Sequence, residues 1–257
     1  MRLDLDLVGK TLTTAWVGRR FVYATETGST QDLARAEAEA GAPAGTVVIA
    51  ETQTAGRGRF GRRWVSPPGQ NIHLTIITRP MVERLRLLSI VAPLAVTLAV
   101  EDIVGVQPCI KWPNDVLLGG RKLAGILIES EVAGPEVKYA LVGMGVNVNL
   151  AIDRHSEIAE IATSLKREVG HEVSREWLLV ALLSRFERSY EAAARGPEVH
   201  AAWRARLETL GRQVRVTFRD QVYEGLAEDV DADGNLVLLR PDGSRLTVEA
   251  GEVTLRG

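Results

Sequence analysis

The apolar residues change their period along the chain, and that change confines the fold more tightly than any single motif does. Up to residue 148 the signals are short β-branched or apolar runs, at 20–25, 46–51, 71–78, 108–112, 116–118, 122–132 and 137–148. The last four are separated only by tight turns, among them Gly119-Gly120 and Ala133-Gly134-Pro135, so they read as consecutive antiparallel strands. Helical spacing interrupts the strands twice. Ser29 or Thr30 can cap a helix that runs to Ala40 and stops at Gly41, and 84–104 is apolar enough for a buried helix. Beyond 148 the period turns helical, at 157–161, at 174–194 behind the capping residue Ser174, and at 197–210. From Gly211 it returns to two: Val214, Val216 and Phe218 alternate, and turns fall at Asp233-Gly234 and Asp242-Gly243. Strands followed by helices without regular alternation indicate an α+β main domain. The closing stretch of about 47 residues suggests a small SH3-like barrel, with the boundary near 209–211.

With 46% apolar residues, a chain of 257 residues can bury a substantial core. Its net charge of −2 supplies no global field for nucleic acid or anionic membrane, so any anion binding has to be local. The lone Cys109 cannot form an internal disulfide and fits a reducing compartment. No signal-peptide pattern opens the chain, and the longest apolar run, 87–100, falls short of the roughly 20 residues that a bilayer requires. A cytoplasmic protein is the expectation. The histidines at 73, 155, 171 and 200 are too scattered for a zinc motif and read as ordinary surface or core residues.

Two motifs fail on their context. Gly56-Arg57-Gly58-Arg59-Phe60-Gly61 fits the dinucleotide pattern G-x-G-x-x-G, but Ser66-Pro67-Pro68-Gly69 prevents the helix that must follow it. Asp229-Val230-Asp231-Ala232-Asp233-Gly234 opens like a calcium loop, yet its twelfth position is Arg240 instead of a carboxylate, so an acidic hairpin turn is expected.

Four stretches carry chemistry. Loop 56–63 concentrates Arg57, Arg59, Arg62 and Arg63 among glycines in a chain of net negative charge. Arginine forks pair with phosphate and carboxylate oxygens, and glycine lets backbone approach an anion. Composition alone leaves a solvated basic turn or a nucleic-acid patch equally open. Because the like charges repel, the loop is expected to settle only when an anion joins it. Gln53 before the loop can hydrogen-bond in a pocket, and Trp64 after it can cover a ring. In Lys111-Trp112-Pro113-Asn114-Asp115 the proline ends a strand; Asp115 can hold magnesium and Asn114 a nucleotide, although Asn-Asp turns are also common without a ligand. In the run from Arg121 to Glu129 both faces are apolar, which reads as a buried central strand with Lys122 at its mouth and Gly125 marking close approach of a ligand. Gly143-Met144-Gly145-Val146-Asn147-Val148-Asn149 again places glycines in a strand, with Asn147 able to read a base edge and Asn149 ending the strand.

Each signal is weak by itself. Taken together and in this order, they resemble the catalytic region of biotin–protein ligases over roughly residues 20–255. The resemblance implies an SH2-like mixed domain, 1–209, and an SH3-like barrel, 210–257. It also implies an enzyme that activates biotin with ATP and Mg2+ to biotinyl-5′-AMP and passes biotin to a lysine of a carboxylase's biotin carrier domain, as a homodimer. Ser29, Thr30 and Gln31 would meet the ureido ring. Gln53, Arg57, Gly58, Arg59 and Gly125 would line the same pocket, and Lys122 would face the carboxylate. Lys122 and Arg59 would be catalytic. Arg62, Trp64, Asn114, Asp115 and Asn147 would lie on the nucleotide side, with Asp115 on magnesium. Many members have asparagine where this chain has Gln31. Some carry an N-terminal winged-helix domain that the early start of the pattern here leaves no room for, so nucleic-acid binding is not implied. The competing readings are a lipoate or octanoate ligase and a non-enzymatic biotin-binding protein.

Overall fold

A seven-stranded mixed sheet is the frame on which everything else is placed. The computed structural model describes residues 2–152, 155, 157–218 and 221–255. After a short helix α1 (Leu5–Thr11) come β1 (Phe21–Thr27), α2 (Thr30–Glu39), β2 (Val47–Gln53), β3 (Ile72–Thr78) and α3 (Leu88–Val104). The strands β4 (Cys109–Lys111), β5 (Asp115–Leu118), β6 (Arg121–Ala133) and β7 (Glu136–Val146) follow in one run. The spatial order is β1-β2-β3-β7-β6-β5-β4. Among the described strands of this sheet, only β1 and β2 pair in parallel, because α2 carries the chain back between them. The antiparallel run from β4 to β7 is the one that the turn residues foretold.

The two faces of the sheet have different partners. Leu74, Ile76, Val142 and Met144 bury one face against α3 and against α5 (Arg175–Ala193). Val48, Ile77 and Leu141 meet Ala34 and Ala38 of α2 on the other. The alternation follows from the two-residue period of a strand, which sends neighbours to opposite faces. α2 covers only one end of its face. The other end stays open and becomes the cavity described below.

Local chemistry explains most of the boundaries. Ser29 caps α2 by accepting from the Gln31 amide, and Ser174 caps α5 by accepting from the Trp177 amide. Gly105 ends α3 in the left-handed region, at φ 70°. Several expectations need correction. α3 begins at Leu88, after a 3-10 turn at Val82–Arg84, instead of at 84. Residues 157–161 form turns, while the short helix of this region, α4 (Leu165–Val169), lies further on behind its cap Ser164. The expected helix at 197–210 is limited to α6 (Glu198–Arg204). β6 is interior in the sheet, but from Glu129 onward it is partly or fully exposed. β7 ends at Val146, and Asn149 instead clamps Val173, donating to its carbonyl and accepting from its amide, each at 2.9 Å.

The terminal strands β8 (Gln213–Phe218), β9 (Gln221–Val230), β10 (Leu236–Leu239), β11 (Arg245–Val248) and β12 (Glu252–Leu255) form a separate antiparallel sheet in the order β11-β10-β9-β8-β12. The acidic stretch is a hairpin turn. Asp231 accepts from the Asp233 and Asn235 amides, and Asp229 pairs with Arg204 at 2.6 Å. Trp112 joins the two sheets, its indole donating to the Gly234 carbonyl at 2.9 Å. Among the described residues, no helix is long and apolar enough to cross a membrane.

Candidate functional site

One cavity of about 630 Å³ opens on the uncovered end of the main sheet. Ser29, Thr30, Gln31, Gln53, Arg57, Gly58, Arg59, Arg62, Trp64, Asn114, Asp115, Lys122, Gly125 and Asn147 all line it, although they come from segments more than a hundred residues apart.

The deep end is a polar network fixed by α2 and the sheet. Gln53, the last residue of β2, accepts from the Thr30 amide at 2.8 Å and from its hydroxyl at 3.1 Å. Thr75 on β3 donates to the same hydroxyl at 2.9 Å. Gln31 is longer than asparagine and reaches across β7 to donate to the Leu127 carbonyl at 2.8 Å. Gly143 makes that reach possible: a Cβ there would stand 2.9 Å from the Gln31 amide nitrogen. The same reason applies at Gly145, where a Cβ would lie 2.6 Å from the Trp64 ring. At Gly125 it would lie 3.1 Å from both Trp64 and the Lys122 stem. The glycines in these strands admit side chains of the protein itself, where the sequence pointed to a ligand against the backbone.

Loop 56–63 does not stand apart as a repelling cluster. Arg57 and Arg63 bridge each other across it, and Gly58 donates to the Arg62 carbonyl at 2.7 Å. Its cations are met one by one. Arg57 forks onto Asp32, with distances of 2.8 and 2.6 Å, and lies 3.6 Å from Glu129. That pairing holds the Asp32 carboxyl below, and the Arg57 guanidinium above, their usual ranges. Arg59 reaches the Asn114 side-chain oxygen and the Gly251 carbonyl, each at 3.1 Å. Burial lowers the Arg59 pKa, with Asp115 and Glu252 pulling it back up. Arg62 pairs with Glu252, and this contact holds the Glu252 carboxyl down. Loop and terminal sheet thus close one wall together.

Lys122 stands 2.6 Å from Asp115, with its ammonium 5.6 Å from the Trp64 ring centroid. Its backbone is pinned on both sides: its amide donates to the Ile161 carbonyl, and the Thr163 amide donates to its carbonyl, each at 2.9 Å. The amides of Asn114 and Asn147 are engaged inside the protein. Asn114 donates to the Ile126 carbonyl at 2.7 Å. Asn147 donates to Thr163 at 3.0 Å and accepts from Asn71. These bonds hold the wall of the cavity.

The sequence reading did not include several parts of the lining: His73, the segment from Ile158 to Ala162, Glu208 and the strip from Gly251 to Thr254. His73 carries no motif; it is a buried histidine on the cavity face of β3. The turn segment and the terminal strip carry no motif, and only the fold brings them here.

Comparison with known proteins gives a consistent answer. The model of the Biotin/lipoate A/B protein ligase family matches residues 23–147, and that of the Biotin protein ligase C terminal domain matches 209–256. The biotin–[acetyl-CoA-carboxylase] ligase of Mycobacterium tuberculosis is 38% identical over 244 residues, 91% of this chain and 88% of that protein. The ligase of the same name from Paracoccus denitrificans is 38% identical over 82% of this chain and 90% of its own length. Among solved structures, the biotin protein ligase of Aquifex aeolicus in complex with biotin and ATP superposes with a TM-score of 0.78 at 27% identity, covering 93% of this chain and 99% of that one. Identity at this level, spread along nearly all of both chains, does not arise from a shared fold alone, and this chain belongs to the family of biotin protein ligases.

Proposed function

We propose that the protein activates biotin with MgATP to biotinyl-5′-AMP and then transfers biotin to a lysine of a carboxylase's biotin carrier domain. One observation carries the proposal: cationic side chains from two separate segments, Arg57 and Arg59 of loop 56–63 and Lys122 of β6, line a single cavity whose inner end is built of neutral hydrogen-bonding groups. That division suits a small carboxylic acid with a polar, uncharged head.

In the first step a carboxylate oxygen of the acid attacks the α-phosphorus of ATP. The new O–P bond forms as the bond to pyrophosphate breaks. Two anions must approach, so the barrier is largely electrostatic, and preorganised cations lower it. Lys122 and Arg59 take that role, with Lys122 exchanging its Asp115 contact for the incoming oxygens. Asp115 lines the same cavity, and its carboxylate would hold magnesium, an ion that binds one or two carboxylates plus phosphate oxygens. Magnesium bound there with the nucleotide would supply further charge neutralisation. In the second step the acceptor amine attacks the acyl carbon and AMP leaves. The anhydride hydrolyses readily, so the loop wall formed with Glu252 and Gly251 serves to exclude water.

The division at 209–210, a homodimeric state and a cytoplasmic setting belong to this proposal. A lipoate or octanoate ligase would use the same chemistry, but a sulfur ring or bare chain has nothing to offer the amide-lined inner end. Incubation with ATP, magnesium, biotin and a carrier domain should add the mass of biotinyl to the carrier. ATP consumption driven by lipoate and not by biotin would transfer the assignment to the lipoate class, and biotin binding without ATP turnover would make the protein a binder only.

A further inference from the structure

His73 is 1% exposed, and neither ring nitrogen has a hydrogen-bond partner in the protein. Its neighbours explain why. The flanking groups two residues to either side are committed: Thr75 on the same strand donates to Thr30 at 2.9 Å, while Asn71, just before it, donates to Asn147 at 3.4 Å and accepts from the Val148 amide at 3.1 Å. Across the sheet its register partners are Ala50 and Gly145, which have no polar side chain. His73 is also among the residues that border the cavity.

Two other buried polar atoms of that cavity are in the same position. The Gln31 side-chain oxygen has no partner, and its orientation is set because the amide nitrogen is held by Leu127. The Trp64 indole N–H is the other. All three groups gather over one short stretch of β7. Gln31 lies against Gly143, Trp64 against Gly145, and His73 is Gly145's register partner. Residues two apart on a strand are separated by roughly 7 Å, about the width of a small fused ring.

Burial, reinforced by Arg175, holds the His73 pKa down to about 4, so the ring is neutral. A neutral imidazole offers one N–H and one lone pair. With Gln31 and Trp64, the stretch therefore presents two acceptors and two donors. A cyclic urea is the complement, since it carries two N–H groups and a carbonyl oxygen with two lone pairs. A dithiolane or alkyl head has neither. Buried polar groups left unpaired are costly, which is why a site of this kind rejects ligands that cannot pair with it.

We infer that His73 is a specificity-determining residue of the acid pocket, hydrogen-bonding the polar ring of the acid together with the Gln31 side-chain oxygen. The inference rests on the biotin reading above. The test uses biotin-dependent ATP–pyrophosphate exchange in the wild type, His73→Phe and His73→Gln, with a thermal melt of each. His73→Phe should raise KM for biotin by about ten-fold or more, the scale of a lost hydrogen bond in a site built to make it, with KM for ATP unchanged and the melting temperature not lowered. His73→Gln, which keeps a donor and an acceptor, should stay within about three-fold of wild type, a small fraction of that penalty. In the wild type, the ring nitrogen resonances of 15N-labelled His73 should move when biotin is added. A folded His73→Phe with wild-type KM for biotin, or ring resonances that ignore biotin, overturns the inference alone. Wild-type protein with no biotin-dependent exchange overturns the biotin reading, and the inference with it.

Discussion

Side chains in this cavity are defined as much by what holds them as by what they offer. Lys122 illustrates the point. Its position at the start of β6 was readable from the sequence, yet its partner Asp115 and the backbone clamp from Ile161 and Thr163 were not. Because the clamp acts on the main chain, Lys122→Ala should keep the fold while removing the charge. Biotin-dependent pyrophosphate exchange should fall by at least ~100-fold, the scale for one preorganised charge donor. Unchanged exchange would remove Lys122 from the mechanism. Arg57 shows the opposite case. The sequence marked it as an anion binder, and the structure shows its fork on Asp32, a residue that carried no signal because Asp32 sits on α2, far away in sequence.

At the scale of elements, loop 56–63 is the part whose behaviour the pairing geometry decides. Its arginines are tied to α2 through Asp32, to the β4–β5 turn through Asn114, and to the terminal sheet through Gly251 and Glu252. Most of these contacts are at least partly open to solvent, and exposed ion pairs are individually weak, on the order of 0–1 kcal/mol. The loop should therefore open readily when empty and close when anions add further pairs. Limited proteolysis checks this: cleavage within 56–63 should slow once biotin and MgATP are present, whereas equal rates would argue against a closing wall. The strands of the main sheet were legible because their turns carry Gly and Pro signals. The helix expected at 157–161 was displaced because the cap that operates is Ser164, whose hydroxyl accepts from the Arg167 amide.

Across the whole molecule, the buried pair Arg175–Glu51 ties three distant parts together. Arg175 opens α5, Glu51 lies on β2, and the Glu51 carboxylate also accepts from the Leu3 amide at 2.6 Å. Burial alone would raise the Glu51 pKa. Arg175 and the Leu3 amide outweigh that and bring it below its ordinary value. The unfolded chain therefore binds the proton more readily. The stability from this pair is complete above the unfolded value of about 4.3 and is lost as the pH falls through the lower folded value. At neutral pH, Glu51→Gln should cost about 3 kcal/mol, the scale for breaking a buried pair by removing one partner. In urea titrations the gap between variant and wild type should narrow in acid. A gap independent of pH would show that the pair does not act through charge.

The sequence by itself determined most of the strands, the helices that carry clear caps and the change to a second sheet after residue 211, and these follow from local rules: strand alternation, helix caps, and turns that only certain residues make. Many of the side chains that line the cavity came instead from the family resemblance, and His73 and the terminal strip from neither. Tertiary structure alone decided how those side chains are used. It placed Gly251 and Glu252 against the arginine loop, let Gln31 and Trp64 cross the glycines of β7, and left His73 facing the cavity with nothing of the protein to bond. Such outcomes depend on which groups lie a few ångströms away after the sheet has closed, and residues far apart in sequence carry no local trace of that proximity.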